Sequence, residues 1–231
     1  MRKFLIVLAA LTCSCALPPK AVPPAAPSAA PPAPAAAARP YERYEVVSSR
    51  VEIHVFRDGP MAQLGHNHVI TSDALVGSIE LREPRRDSGF TLEIPLNSLV
   101  VDDPATRSAA GADFAKDVPQ ADREATRRNL LGTELLDATR QPVLSLRAEG
   151  LEGGPSEYRA RVRVGIRGEE RIVDVPLSVQ IGDGKISVHA NFRLHHADLG
   201  LTPYTVALGA LRVRDEFEID CRLEARRGGS S

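Results

Sequence analysis

The sequence predicts one mainly β domain of antiparallel strands with a single short helix, carried behind an export leader and a Pro/Ala-rich tether. Three observations lead there. Apolar and polar residues alternate in run after run beyond Tyr41. Two of these runs meet at Gly182-Asp183-Gly184, a hairpin signal. One segment only, Pro119 to Asp137, abandons period two for helical spacing.

The runs follow in order along the chain. Val51, Ile53 and Val55 alternate with Glu52, His54 and Phe56. Ala74 to Leu81 is a further strand, followed by Phe90, Leu92 and Ile94 and by Val143 to Ala148. Tyr158, Ala160, Val162, Val164 and Ile166 alternate with arginines. The hairpin joins Val173, Val175, Leu177, Val179 and Ile181 to Ile186, Val188, Ala190, Phe192 and Leu194. Val213 opens the last run, with Phe217, Ile219, Cys221 and Leu223 on one face. Strict alternation gives each strand one buried and one wet face. About eight or nine such strands make a sandwich or a closed barrel, and periodicity alone does not choose. Between Pro119 and Asp137, Leu130, Leu131, Leu135 and Leu136 fit one face of an amphipathic helix, with Leu131 and Leu135 inward. Asp102 to Val118 reads as a long loop leading into it.

Composition narrows the function. The net charge is -1, so no basic face for nucleic acid is implied. Aromatics are only 4% with no Trp, so a binding interior must be mainly aliphatic. The start carries Arg2 and Lys3, then a short apolar run from Phe4 to Leu11. That run is too short for a spanning helix and reads as a signal peptide over residues 1–15, of lipoprotein type, the alternative being ordinary cleavage after Ala16 with no lipid. Cys15, preceded by the small Ser14, is the expected lipidation site, with Cys13 the other candidate. Residues 16–40 are almost all Pro and Ala, a disordered polyproline-like tether reaching roughly 75 Å when extended. Residues 41–226 form the folded domain. The expectation is an exported, periplasmic protein held to the membrane by an N-terminal lipid. Cys221 is a small buried hydrophobe, and no disulfide framework is left for it.

Several segments, in order, resemble the YceI-like family. They are Leu64-Gly65-His66-Asn67-His68, Val76-Gly77-Ser78-Ile79-Glu80-Leu81 and Ile94-Pro95-Leu96-Asn97-Ser98-Leu99. After the helical segment come Leu136-Asp137-Ala138 and Gln141-Pro142-Val143, then His196-Ala197-Asp198-Leu199-Gly200-Leu201-Thr202-Pro203 and Val213-Arg214-Asp215-Glu216. The resemblance implies a lipocalin-like β-barrel of about eight strands with one helix packed against it. It also implies an elongated apolar cavity for a polyisoprenoid or similar lipid. The loop before the helix is long, and the segment from Gly168 to Asp174 is charged where many members carry an apolar residue.

Candidate residues follow from these readings. Val164, Val175, Val179, Val188 and Phe192 would line the slot for an isoprenoid or other long-chain lipid. His66, His68, Tyr204, Arg212 and Arg214 are candidates for a polar headgroup at the mouth. Histidines two apart on extended backbone point the same way, so His66 and His68 are also a candidate metal pair. Zinc usually wants a third protein ligand, for which His195, His196 or Asp198 would serve. The plainer reading has both histidines capping a turn or bonding backbone. His189 and His54 are read as structural, and the pairs Arg85-Arg86, Arg127-Arg128 and Arg226-Arg227 as solvated surface. Ser98 and Ser178 lack the elbow that activates a hydrolase serine, Asp102-Asp103 sit in a loop, and no phosphate or dinucleotide motif occurs. The expectation is therefore a binding protein, not an enzyme, with no cofactor. A metal protein using His66 and His68, or a structural domain with a filled barrel, are the alternatives.

Overall fold

The computed structural model describes residues 40–228; the leader, Cys15 and the tether lie outside the described residues. Twelve strands occur: β1 (Glu42–Asp58), β2 (His68–Ser72), β3 (Val76–Leu81), β4 (Gly89–Pro95), β5 (Val100–Val101), β6 (Val143–Glu149), β7 (Glu152–Gly153), β8 (Glu157–Ile166), β9 (Glu169–Gly182), β10 (Lys185–His195), β11 (Thr205–Val206) and β12 (Leu211–Arg227). Two α-helices interrupt them among the described residues, α1 (Pro104–Ala109) and α2 (Gln120–Leu131).

Eight strands close an antiparallel barrel in the order β1-β3-β4-β6-β8-β9-β10-β12, with β12 returning to β1. Closure removes the two edges that an open sheet leaves exposed. The alternation read from the sequence is the cause of the curvature's inside and outside. On β8, Tyr158, Ala160, Val162, Val164 and Ile166 are buried while Arg159, Arg161 and Arg163 are exposed. The hairpin turns are of the kind that matches strand twist. Asp183 and Gly184 both take positive φ, 51° and 69°, as do Arg167 and Gly168 at 55° and 78°.

β1 is long enough to serve two neighbours. Its first half pairs with β3, its second half with β2, and β12 runs along its other side. β2 in turn pairs with β5. Four consecutive residues of β2, Val69 to Ser72, are buried, so both of its faces are covered. The inner face joins the main core through Ile70. On the outer side Val69 is buried apart from the main core, as are Phe114 and Val118. The Phe114 ring lies 4.9 Å from that of His54 and 5.6 Å from that of Phe56, which makes a second small core.

That second core corrects the reading of Asp102 to Val118 as a plain loop. The segment holds α1 and a short turn at Ala112–Phe114. Asp103 caps α1 by accepting from Thr106 N–H at 3.0 Å, with Pro104 at the first helical position. Arg107 turns inward and donates to the carbonyls of Asn67 (2.7 Å), Phe114 (2.8 Å) and Lys116 (2.7 Å). One guanidinium thus supplies the hydrogen bonds that a β ladder would supply elsewhere.

The helical segment is also corrected. α2 ends at Leu131, because Gly132 leaves helical geometry. The chain then folds back, with Leu136 N–H bonding Leu130 O (3.1 Å) and Ala138 N–H bonding Leu131 O (3.0 Å). Leu136 is buried from this turn, not from the helix, and no residue of α2 itself is fully buried. α2 packs on the main core through the partly buried Leu130 and Leu131, the latter as expected. It is held further by Arg127, which donates to Leu99 O (3.1 Å) and Asn97 O (2.9 Å). Arg127 is therefore a clamp, not solvated surface.

Candidate functional site: an apolar lumen with a histidine end

The inward faces of the barrel do not meet. They enclose a cavity of about 620 Å³. That lies within the range of about 300–1,000 Å³ usual for small-molecule sites. Val164, Val175, Val179, Val188 and Phe192 all line it. Val188 faces Val179 across the β9–β10 hairpin and Leu223 on β12. These side chains are short, so the barrel's own residues leave its axis open.

The cavity runs the length of the strands. One end reaches Ser88, Leu151 and Tyr158, beside the β3–β4 and β7–β8 connections. The other reaches Leu64, His66, Tyr204, Arg212 and residues Asp122, Ala125 and Asn129 of α2. Polar groups gather at this second end. Arg212 lines the cavity while paired with Asp58 at 2.9 Å. The Gly59 backbone N–H and Arg212 hold the Asp58 carboxyl below its usual range. Arg214 is not among the lining residues; its guanidinium lies 4.9 Å from the Phe56 ring centre.

His68 enters the lumen from β2. It pairs with Val55, which pairs with Phe217, which pairs with Leu194, so the four stand on one inward rung. Its Nδ1 is 2.6 Å from Asp102 Oδ2. Asp102 is 0% exposed and also accepts from Arg107 (2.6 Å) and from Val69 N–H (2.9 Å). Burial pushes the Asp102 carboxyl up, but the bonds from His68, Val69 and Arg107 outweigh it and leave the group below its ordinary range. The loop before His68 is tied down by Asn67, whose Oδ1 accepts from Arg57 N–H (3.0 Å) and whose Nδ2 donates to Asp113 O (2.9 Å).

The structure brings His66 beside His68, with ring centres 6.2 Å apart, and both line the cavity. Burial, Lys116 and His68 push His66 down from its usual value. The candidate third ligands are engaged elsewhere. His195 pairs with Asp215 at 3.1 Å, and Asp198 accepts from the His195 N–H at 2.7 Å. His196 lines the lumen, but its Nδ1–H donates to Asp215 O (2.6 Å) and its ring meets Phe217 edge-on at 5.0 Å. Among the described residues no three His, Cys, Asp or Glu side chains are grouped to hold a metal. Ser98 is a structural hydroxyl, donating to Pro95 O at 2.6 Å.

Asp102 and Arg107 are the site residues that periodicity misses. The only local sign of their segment is the Asp103-Pro104 cap signature, which marks a helix start and not a buried ion pair.

No family model matches the chain, and no curated protein matches it. Solved structures do. Burkholderia cenocepacia BcnA is 13% identical, with a TM-score of 0.54 over 76% of this chain and 95% of that one. A polyisoprenoid binding domain from Saccharophagus degradans, implicated in plant cell wall breakdown, is 14% identical, with a TM-score of 0.52 over 80% and 98%. A mutant of the Campylobacter jejuni YCEI protein is 11% identical, with a TM-score of 0.50 over 69% and 84%. The likeness is one of fold: this barrel is built as the YceI-like barrels are.

Proposed function

We propose that the chain is a YceI-like lipid-binding protein whose lumen holds an isoprenoid or similar long-chain lipid. The observation that carries this is the open, aliphatic barrel axis of about 620 Å³. A barrel serving only as a structural element would fill that axis with its own side chains. Each CH₂ transferred from water to such a lumen contributes about 0.8 kcal/mol. Part of that is offset by ordering the chain. The neighbour whose name states a polyisoprenoid ligand has the same fold, which adds support.

The same reading makes the protein an exported one, periplasmic and anchored through a lipidated Cys15. Arg2, Lys3, the short apolar run and the Pro/Ala tether support it. Fractionation of the Cys13→Ser, Cys15→Ser double variant tests the anchor: release from membranes is expected, and wild type found free of membranes would refute it. Mass spectrometry of lipids extracted from natively purified protein tests the ligand. Near-stoichiometric long-chain lipid is expected. Protein that carries none, and takes up none when exposed to long-chain lipids, would count against the proposal.

A further inference from the structure

A lipid slot needs only apolar walls, yet this lumen carries an imidazole whose polarity is fixed from behind. Asp102 has no solvent contact, and its two oxygens face three donors: His68, Arg107 and Val69 N–H. Ionised, it accepts from all three, so the proton between it and His68 sits on His68 Nδ1. A neutral imidazole with its proton on Nδ1 has a lone pair on Nε2. That nitrogen belongs to a ring lining the lumen, and among the described residues it has no hydrogen-bond partner. Once a lipid fills the lumen and excludes water, leaving this acceptor unpaired is costly unless the ligand itself completes it. The device is held under strain: Asp102 has φ 53°, in the left-handed region that a buried Asp adopts only when its surroundings require it.

Resting on the lipid-binding reading above, we propose that His68 Nε2 is a hydrogen-bond acceptor selecting long-chain ligands that end in a hydroxyl, an aliphatic alcohol or a phenol. A chain ending in a carbonyl or ether oxygen meets lone pair with lone pair and is disfavoured. Arg107 and the Val69 N–H both hold Asp102 Oδ1, which leaves Oδ2 facing His68 Nδ1.

The test uses the full-chain protein stripped of lipid. Hexadecanol, hexadecyl methyl ether and a methyl ketone of equal chain length compete for a bound fluorescent fatty probe. Wild type should prefer the alcohol by about tenfold, the worth of one hydrogen bond. His68→Phe should bring the three affinities together. Asp102→Asn should reverse the order. The Asn carbonyl stays toward Arg107 and Val69, its NH₂ faces His68 Nδ1, and the imidazole proton moves to Nε2. If that variant does not fold, His68→Phe and the nitrogen NMR tautomer of His68 in wild type decide the matter. Chains that bind without regard to their end group, or a proton found on Nε2, overturn the acceptor proposal alone. Failure of all three chains to displace the probe, together with no direct binding, would instead remove the lipid-binding reading beneath it.

Discussion

Arg107 Nη1 lies 2.6 Å from Asp102 Oδ1, and both side chains are buried between β2 and the segment that covers it. This pair, with the buried Phe114 and Val118, fastens the 102–118 segment to the barrel. Removing one partner of a buried pair leaves the other uncompensated, at about 3–5 kcal/mol. Arg107→Ala should show that loss in urea unfolding, since Asn67, Phe114 and Lys116 carbonyls also lose their donor. A loss below about 1 kcal/mol would mean the segment is not fastened this way.

The same pair sets a pH dependence. The Asp102 carboxyl is lowered in the folded protein, against about 3.9 when unfolded. Its contribution to stability is therefore complete above the unfolded value and is lost as pH falls through the folded one. The stability gap between wild type and Asp102→Asn should hold constant from about pH 7 to about pH 5, then narrow below about pH 4. Unfolding free energies measured across that range check it; a gap that widens toward acid would be the wrong sign.

The contrast between these residues and the lumen valines explains what the sequence reveals. Val164, Val175, Val179 and Val188 are legible because period two is itself the inside-outside rule of a strand. Their cavity follows from their shortness. Asp102 is 34 positions from His68, and no local pattern marks two such residues as partners. Arg107 sits among Ala, Ser and Gly, where nothing alternates. The four leucines from Leu130 to Leu136 mislead differently. Their spacing fits one helix, but Gly132 stands between the pairs and lets the chain turn back.

That turn divides the leucines into two classes. Both line the cavity, but Leu136 is buried in the main core, whereas Leu135 is only half-buried. Leu136→Ala should cost about 2–5 kcal/mol, as large-to-small changes in packed cores do. Leu135→Ala should cost less, on the order of 1 kcal/mol, because its side chain is only half-buried and less apolar surface returns to water. Paired thermal and urea melts decide; equal losses would place both leucines in one packed layer.

Cys221 stands on the inward rung with Val51 and Ala190 and borders the lumen. Burial, with a smaller contribution from Asp220, pushes its thiol up to about 11. Only the thiolate reacts, so labelling by N-ethylmaleimide should be slow at neutral pH and rise about tenfold per pH unit from there. Bound lipid should protect it. Peptide mapping separates Cys221 from Cys13 and Cys15. Fast labelling at pH 7, unchanged by lipid, would put the thiol outside the lumen.

Val188→Trp fills the lumen from the cleanest hairpin of the barrel, opposite Val179. The quantity to measure is bound long-chain lipid in this variant and in wild type, with melting temperatures alongside. If the lumen is a slot, the indole occupies the ligand's space, lipid uptake is lost and the melting temperature falls by only a few degrees. If the interior were packed like an ordinary core, overpacking would cost about 1–3 kcal/mol or more. Severe destabilisation of the variant, with no lipid bound by wild type, would contradict the lipid-binding lumen.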